Sequence, residues 1–241
     1  MRVAVLSDIH GFHPAFKTVL AEIDRSGPYD EIVIAGDIFE AGPGPDIVLD
    51  LLLERGYPAI LGNTDLEILE ASHQGAPDDE IAFALDQIGP KGVAFIGKLP
   101  RSYRISPPGG NGPDDDLLVV HANPRNLYDR LDPEYSDDQL NEVIGGERAA
   151  AIAFGHYHVS YQRRVDGRLL IDVSAVGNPK DGQLCCKFGV LTWDGTNHRW
   201  NGEIVRLPYP LAETEAAMRE SGMPNWEKAF KKLKRATYKQ R

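Results

Sequence analysis

The sequence predicts an α/β protein in which two sheets pack face to face with helices outside them. Strand and helix patterns alternate early in the chain, which indicates βαβ units and a largely parallel sheet. The second half is richer in strands and carries a hairpin signal at Asp166–Gly167. A chain of 241 residues suits one large domain better than two. We therefore expect one domain over 1–241, with C-terminal helices at 211–235 packed on it or extending from it.

Apolar runs and prolines mark the first elements. Arg2–Leu6 is a Val-rich run typical of a strand, and Pro14 begins a helix with apolar residues at helical spacing. Further elements are predicted, in chain order, as a strand at Glu31–Ala35, a helix at Pro45–Arg55, a strand at Pro58–Leu61 and a helix beginning at Asp65.

The rest of the chain favours hairpins and two closing helices. The Gly- and Pro-rich stretch Pro107–Asp116 predicts the tip of a hairpin. The later strands are expected at Leu117–Val120, Ala149–Phe154, Val159–Val165, Arg168–Val173, Lys187–Thr192 and Gly202–Leu207. The later helices are expected at Pro133–Ile144, Leu211–Glu220 and Trp226–Arg235.

The charge balance argues against nucleic acids and membranes as partners. The formal net charge is −10, and an acidic surface repels phosphate backbones and anionic lipids. The chain from Lys228 onward is basic throughout, so this tail could contact RNA, a membrane or the acidic body, or simply be a solvated helix end. The strand-rich edges and the terminal helices could also support a homo-oligomer.

The two cysteines are consistent with a reducing compartment. Cys185 and Cys186 are neighbours, a spacing that disfavours a disulfide between them. The first residues read directly as a strand and carry no secretory signal pattern. We therefore expect a cytoplasmic protein.

Seven residues of the types that bind metals follow predicted strands. The carboxyl ends of strands form the ligand crevice of open α/β sheets, so these side chains are expected to converge. Glycine precedes three of them and permits a sharp turn there. The candidate ligands are Asp8, His10, Asp37, Asn63, His121, His156 and His158.

This mixture of donors indicates a dinuclear centre. Carboxylate and imidazole together suit Mn, Fe, Zn or Ni, whereas oxygen donors alone would suggest Mg or Ca. Two divalent ions can activate one water and hold the phosphoryl oxygens during displacement. The sequence thus predicts hydrolysis of a small phosphate ester by a hydroxide bridging two cations.

The motifs, in their order, resemble those of the calcineurin-like metallophosphoesterases. These are D-x-H at Asp8, G-D at Asp37, G-N-x-D at Asn63, the single His121 and G-H-x-H at His156. The stretches SDIHG, GDIFEAGPGP, HANPR and VSAVGNPKDG further resemble the small bacterial branch that includes YfcE-like phosphodiesterases.

The resemblance implies a fold and a ligand assignment. The fold would be a four-layer αββα sandwich of two mixed sheets flanked by helices. Of the two divalent ions, which we expect to be manganese, one would be held by Asp8, His10 and His158. The other would be held by Asn63, His121 and His156, and Asp37 would bridge the two.

Thr64 departs from the family pattern. Many relatives have His at this place and YfcE-like relatives often have Cys, whereas a hydroxyl cannot protonate a leaving group as an imidazolium can. We therefore expect slow turnover of esters with poor leaving groups. The neighbouring Asp65 either orients a ligand or caps a helix. Asp37, Asn63, Thr64 and Asp65 form the predicted catalytic set.

Two further residues are candidates for substrate binding. Arg125 in HANPR could bind a phosphate through both of its terminal nitrogens, or form a surface ion pair. His13 could line the mouth of the site, or be an exposed residue at a helix start.

A phosphodiesterase is the function that these observations favour. A phosphomonoesterase and a dinucleoside-polyphosphate hydrolase are the alternatives within the same chemistry. The sequence lacks the Asp-Arg pair that follows G-D in protein phosphatases. A nuclease and a non-catalytic scaffold are less well supported, because no basic aromatic groove is evident and every expected metal ligand is present.

Overall fold

The computed structural model describes residues 1–238, which form nine strands and seven α-helices. The strands are β1 Arg2–Leu6, β2 Glu31–Ile34, β3 Ser102–Ile105, β4 Leu117–Val120, β5 Ala151–Phe154, β6 Tyr161–Val165, β7 Arg168–Asp172, β8 Cys185–Asp194 and β9 Arg199–Pro208. The helices are α1 His13–Ser26, α2 Pro45–Arg55, α3 Asn63–Gln74, α4 Asp79–Ile96, α5 Asp137–Ile144, α6 Leu211–Glu220 and α7 Trp226–Arg235.

The strands form two mixed sheets. The first has the order β2-β1-β8-β9, in which only β1 and β2 are parallel. The second has the order β3-β4-β5-β7-β6, with β4, β5 and β7 parallel and an antiparallel strand at each edge. In each sheet the parallel strands bring their carboxyl ends to one side.

Three apolar clusters separate four layers. Val3 and Val5 of β1 face Val119 and Ile171 of the second sheet in the central cluster. The alternate residues of β1, such as Leu6, pack against helices on the outer face. A third cluster lies between α5 and the far face of the second sheet. The predicted αββα sandwich is therefore confirmed.

The two C-terminal helices pack on the outer face of the first sheet. Met218 of α6 and Phe230 and Leu233 of α7 are buried in the same cluster as Leu6. Lys239 and Arg241 of the predicted basic tail lie outside the described residues. Within residues 1–238, no helix is both long and apolar enough to cross a membrane.

The prediction of a strand at Pro58–Leu61 is wrong. This segment makes only an isolated parallel bridge, between Ala59 and Ile34 of β2. Pro58 has no N–H to donate, and the N–H of Leu61 donates to the carbonyl of Pro100 instead. The segment still runs beside β2 and delivers the next residues to the same edge of the sheet.

Two helix predictions also need correction. The helix expected from Pro133 begins at Asp137, because Ser136 and Gln139 form a capping box that fixes its start. Helix α4 was not predicted, although Asp78 caps its first turn and Ile81, Ala84 and Ile88 form its buried face. Its non-helical Gly89, followed by Pro90, interrupts the pattern in mid-helix.

Candidate metal centre

The loops after strands of both sheets bring the candidate ligands together. Asp8 and His10 follow β1, Asp37 follows β2, and Asn63 begins α3. From the second sheet, His121 follows β4, and His156 and His158 follow β5. The predicted convergence at one edge therefore occurs across the interface between the two sheets.

One group of ligand atoms belongs to Asp8, His10, Asp37 and His158, all of which are buried. One donor atom from each lies within 4.8 Å of the others. Nε2 of His158 lies 3.0 Å from Oδ1 of Asp8, and Nε2 of His10 lies 3.6 Å from Oδ2 of Asp37. Such a set can hold one divalent cation with two carboxylates and two imidazoles.

A second group shares Asp37 with the first. It contains Asp37, His121 and His156. Nε2 of His121 lies 3.4 Å from Oδ1 of Asp37. Oδ1 of Asn63 lies 3.0 Å from Nε2 of His121 and 2.9 Å from Nδ1 of His156. Asp37 is therefore the residue through which two adjacent cation sites would be joined.

Each histidine turns its other ring nitrogen to a backbone carbonyl. The carbonyl partners are those of Glu40 for His10, Ala35 for His121, Tyr128 for His156 and Asn178 for His158, at distances of 2.6 to 3.0 Å. A carbonyl can only accept, so the proton of each neutral imidazole lies on the outer nitrogen. The lone pair of the inner nitrogen then faces the cluster, which is the arrangement that metal-binding histidines need.

The inner nitrogens approach each other in a way that requires positive charge. Nε2 of His10 and Nε2 of His158 are only 3.2 Å apart, so a proton or a cation must lie between them. Oδ1 of Asp8 is buried and faces the inner nitrogen of His158, which carries no proton in the neutral ring, so this oxygen accepts no hydrogen bond among the described residues. Because buried polar atoms are nearly always paired, this orphaned oxygen fits a metal ligand. The donor set therefore fits a pair of divalent cations.

The electrostatics of the cluster also favour cations. Burial alone would raise the pKa of Asp37, but the charges of His121 and His10 and the hydrogen bond to His121 together outweigh it and lower that pKa to about 2. Burial would likewise lower the pKa of His121, yet the carboxylate of Asp37 raises it to about 9. The pKa of Asp8 is lowered in the same way, by the neighbouring histidines. The carboxylates of Asp8 and Asp37 are thus ionised at neutral pH and attract positive charge, either protons or metal ions.

The backbone is strained at most of the ligands. The φ angles of Asp8, His10, Asp37, His156 and His158 lie between 50° and 68°. This left-handed region costs a residue other than glycine on the order of 1 kcal/mol or more. The surrounding fold holds these five residues in place, and such strain is typical of functional sites.

Glycine is required in the turns that present the ligands. A Cβ on Gly36, whose φ is +88°, would lie 2.7 Å from Cα of Gly62. A Cβ on Gly62 would collide with Oδ1 of Asp37, and one on Gly155 would collide with Oδ2 of Asp8. Only glycine leaves room for a carboxylate to lie against these turns.

The side chain of Asp65 binds the backbone of two of the turns that present the ligands. Its buried carboxylate accepts hydrogen bonds from the N–H groups of Ile38, at 2.9 Å, and Gly62, at 3.1 Å. Because Gly62 is the N-cap residue of α3 and Asp65 lies in its first turn, the second bond also satisfies a backbone N–H at the start of this helix. Burial and the charge of Asp37 raise its pKa to about 7. Both roles predicted for Asp65, a helix cap and a support for ligands, are therefore compatible with its position.

Thr64 lies beside the cluster, whereas Arg125 and His13 do not. The N–H of Thr64 donates to Oδ1 of Asp37 at 2.9 Å. The guanidinium of Arg125 donates to the carbonyl of Glu142 on α5. His13 lines a cavity of about 590 Å³ that includes Asp46 of α2, and none of the candidate metal ligands lines it. The substrate-binding roles of Arg125 and His13 stay predictions.

The backbone carbonyls that orient the histidines were not predicted. Glu40, Tyr128 and Asn178 contribute main-chain oxygen atoms, which any residue type could supply. No side-chain pattern could therefore mark them in the sequence. Glu40 adds a carboxylate oxygen 3.5 Å from Nδ1 of His10.

Comparison with known families decides the relationship of this chain. The family described as calcineurin-like phosphoesterase matches residues 1–160, which is well over half of the chain. The chain belongs to this family. The resemblance inferred from the motifs is thereby confirmed.

Similar proteins extend this relationship. A protein of Delftia acidovorans named bis(5'-nucleosyl)-tetraphosphatase, symmetrical, is 32% identical over 155 residues, covering 60% of this chain and 50% of that protein. The chain thus spans about half the length of the curated relatives it matches. A metallophosphoesterase of Sphaerobacter thermophilus has the same fold, with a TM-score of 0.79 and 23% identity over 98% of this chain and all of the other. A hypothetical protein of Pyrococcus horikoshii OT3 superposes with a TM-score of 0.78 at 16% identity, over 96% of this chain and 97% of the other.

Proposed function

We propose that this protein is a metal-dependent hydrolase of phosphate esters, with phosphodiesters as its preferred substrates. The single observation that carries the proposal is the pair of ligand groups joined by Asp37. Asp8, His10 and His158 would hold one ion, and Asn63, His121 and His156 the other. Manganese is the metal that we propose, with iron, zinc or nickel as alternatives.

The bound cations would supply Lewis acidity and lower the pKa of a water molecule to near neutrality. The chain itself contributes positioning. The carbonyls that accept from the histidines fix their tautomers, and Asp65 holds the turns that carry Asp37 and Asn63. Two buried carboxylates offset part of the cation charge and leave the site attractive to an anionic ester. Thr64, whose hydroxyl does not donate protons readily, would leave proton supply to water.

The experiment is a metal reconstitution assay on the purified chain. Metal-stripped protein is reloaded with Mn²⁺, Ni²⁺, Zn²⁺ or Mg²⁺ and tested on bis(p-nitrophenyl) phosphate and on p-nitrophenyl phosphate. We expect turnover with Mn²⁺ and a preference for the diester. A strong preference for the monoester would replace the proposal with a phosphomonoesterase, and no turnover with any metal would favour a scaffold.

A dinucleoside polyphosphate is the second candidate substrate. It is favoured by the name of the Delftia acidovorans relative, which shares 32% identity with this chain. The same reconstituted protein should then release nucleotides from diadenosine tetraphosphate, as measured by chromatography.

We also propose that the protein works in a reducing, cytoplasmic compartment. Both Cys185 and Cys186 are free thiols, and Cys186 is buried. Labelling of the thiols in freshly lysed cells would test this, and an oxidised pair would contradict it.

A further inference from the structure

Three side chains outside the ligand set stack beside the candidate metal centre. Tyr157 lies between His156 and His158 in the chain. The ring of Tyr238 stacks on it, with 5.3 Å between the ring centroids and an angle of 19° between the planes. The guanidinium carbon of Arg130 lies 4.4 Å from the centroid of the Tyr157 ring. The result is an aromatic pair with a cation held against it.

Backbone hydrogen bonds hold the segment that follows α7 close to Tyr157. The N–H of Gly182 donates to the carbonyl of Ala236 at 2.7 Å, and Thr237 forms an antiparallel bridge with Asp181. The hydroxyl of Tyr238 then donates to the carbonyl of Tyr157 at 2.7 Å. The chain therefore returns from α7 to the loop that carries two of the candidate ligands.

The stack lies near the side of the cluster that is open to solvent. Asn63 and His156 are half-buried, whereas Asp8, His10, Asp37, His121 and His158 are buried. The carbonyl of Tyr128, whose ring is exposed, binds His156 on this open side. Tyr238 is 45% exposed, so part of its ring is free to contact a ligand.

The charged groups near Tyr238 and Arg130 also indicate that the stack lies beside the metal centre. Burial raises the pKa of the Tyr238 phenol, and the negative charge of Asp8 adds to the rise, so the ring lies within the field of the carboxylate cluster. Arg130 is exposed and forms no ion pair with a carboxylate among residues 1–238. Its guanidinium is thus available to an anion that approaches the open side.

We propose that Tyr157, Tyr238 and Arg130 form a nucleoside-binding subsite of the hydrolase. This inference rests on the proposed function and names its substrate class as nucleotide esters. A nucleobase stacks on the exposed ring of Tyr238, and Arg130 binds the phosphate next to that nucleoside. Aromatic stacking together with a guanidinium is a general means of binding nucleotides. Because stacking uses the π-face that every base has, we expect little preference among bases.

The test compares two diesters with the same leaving group. They are the p-nitrophenyl ester of thymidine monophosphate and methyl p-nitrophenyl phosphate, which differ only in the nucleoside. We expect the Mn²⁺-loaded protein to prefer the nucleoside ester in kcat/KM. The variant Tyr238→Ala should reduce this preference roughly tenfold, mainly through KM, and leave the methyl ester unaffected. Arg130→Gln should instead weaken both esters to a similar extent, because both carry the phosphate that the guanidinium binds.

Matched variants separate recognition from folding. Tyr238→Phe retains the ring and should keep most of the preference. Tyr135→Ala removes another exposed tyrosine, in the segment before α5, and should change neither ester. Quenching of ethenoadenosine monophosphate fluorescence gives a binding measurement that does not depend on turnover, and it should weaken in Tyr238→Ala but not in Tyr135→Ala.

The outcomes distinguish the two proposals. An equal loss on both esters in Tyr238→Ala, or an unchanged preference, would overturn the nucleoside subsite while the hydrolase stands. A failure of every metal-loaded form to cleave either ester would overturn the hydrolase. Tyr238-dependent binding of ethenoadenosine monophosphate would in that case still support a nucleotide site.

Discussion

Oδ2 of Asp8 accepts the backbone N–H of His156 at a distance of 3.0 Å, although the two residues lie 148 positions apart in the chain. This bond joins the loop after β1 in the first sheet to the loop after β5 in the second. The candidate metal centre is therefore built across the two sheets, and its geometry depends on how they pack.

Asp37→Asn should abolish activity and lower metal content. The change removes the one charged ligand that both groups share, so we expect fewer than two metal ions per chain. We also expect kcat to fall roughly 100-fold or more, since loss of even a residue that only supports a metal ligand lowers activity about 10–100-fold. Metal analysis after gel filtration and steady-state kinetics measure the two effects. Asp50→Asn, at an exposed site paired with Lys91, is the control and should change neither. Full metal occupancy in Asp37→Asn would contradict the shared role.

Gly62→Ala should damage the centre without touching a ligand. The new methyl group would collide with Oδ1 of Asp37 and lie 2.9 Å from its Cα, so the carboxylate has to move. We expect a stability loss of about 1–3 kcal/mol together with weaker metal binding. Thermal unfolding and metal titration report these changes separately.

Gly97→Ala is the matched control for this substitution. Gly97 has helical φ and ψ angles of −61° and −10°, and its added Cβ would make only ordinary contacts. This variant should unfold at the temperature of the wild type or slightly above it. Equal metal affinity in both alanine variants would refute the steric argument.

Thr64→His should speed the hydrolysis of esters with poor leaving groups. The Thr64 hydroxyl is buried and has no hydrogen-bond partner among residues 1–238, while its N–H is tied to Asp37. An imidazole at this place can donate a proton to an alkoxide, an effect that typically contributes 10²–10⁴-fold. The measurement is kcat for an alkyl and an aryl diester in both proteins. A wild-type enzyme that already cleaves both esters equally fast would show that Thr64 imposes no limit.

Lys187→Met should destabilise the protein much more than Lys91→Met. Each lysine donates to an aspartate at 2.8 Å, but Lys187 is buried beside the partly buried Asp181, whereas the Lys91–Asp50 pair is exposed. Breaking a fully buried pair costs about 3–5 kcal/mol and an exposed pair contributes little, so we expect a cost between these limits for Lys187, because Asp181 keeps the donors Ser160 and Gln183. Thermal and denaturant unfolding of the two variants gives the comparison.

The pH dependence of the Lys187 effect has a definite sign. Burial alone would raise the pKa of Asp181, but the hydrogen bond and charge of Lys187, with smaller contributions from Ser160 and Gln183, outweigh it, and the pKa lies below its ordinary value of 3.8. A lowered carboxyl pKa stabilises the fold above the unfolded value, and this stabilisation is lost as the pH falls through the folded value. The difference between wild type and Lys187→Met should therefore shrink below about pH 4 and be constant near neutrality. A difference that grows in acid would contradict this assignment.

The sequence alone determined the class of the fold and the identity of the candidate ligands. The boundaries of β1, α2, β4, α6 and α7 agree with those predicted, because apolar periodicity and proline positions act locally. The turn glycines Gly36, Gly62 and Gly155 could also be recognised, since each precedes a residue type that binds metals. These features depend on neighbours in the chain, and a sequence records neighbours directly.

Only the tertiary structure decided how the ligands are supported and what surrounds them. The carbonyls that fix the histidine tautomers come from backbone atoms, and the left-handed φ angles of Asp8 and Asp37 leave no mark on residue type. The strand expected at Pro58–Leu61 failed because Leu61 bonds to Pro100, a partner far along the chain. Tyr238 reaches Tyr157 because α7, which precedes it in the chain, packs on the first sheet. Contacts between distant residues depend on the packing of whole layers, and no local pattern in the sequence encodes them.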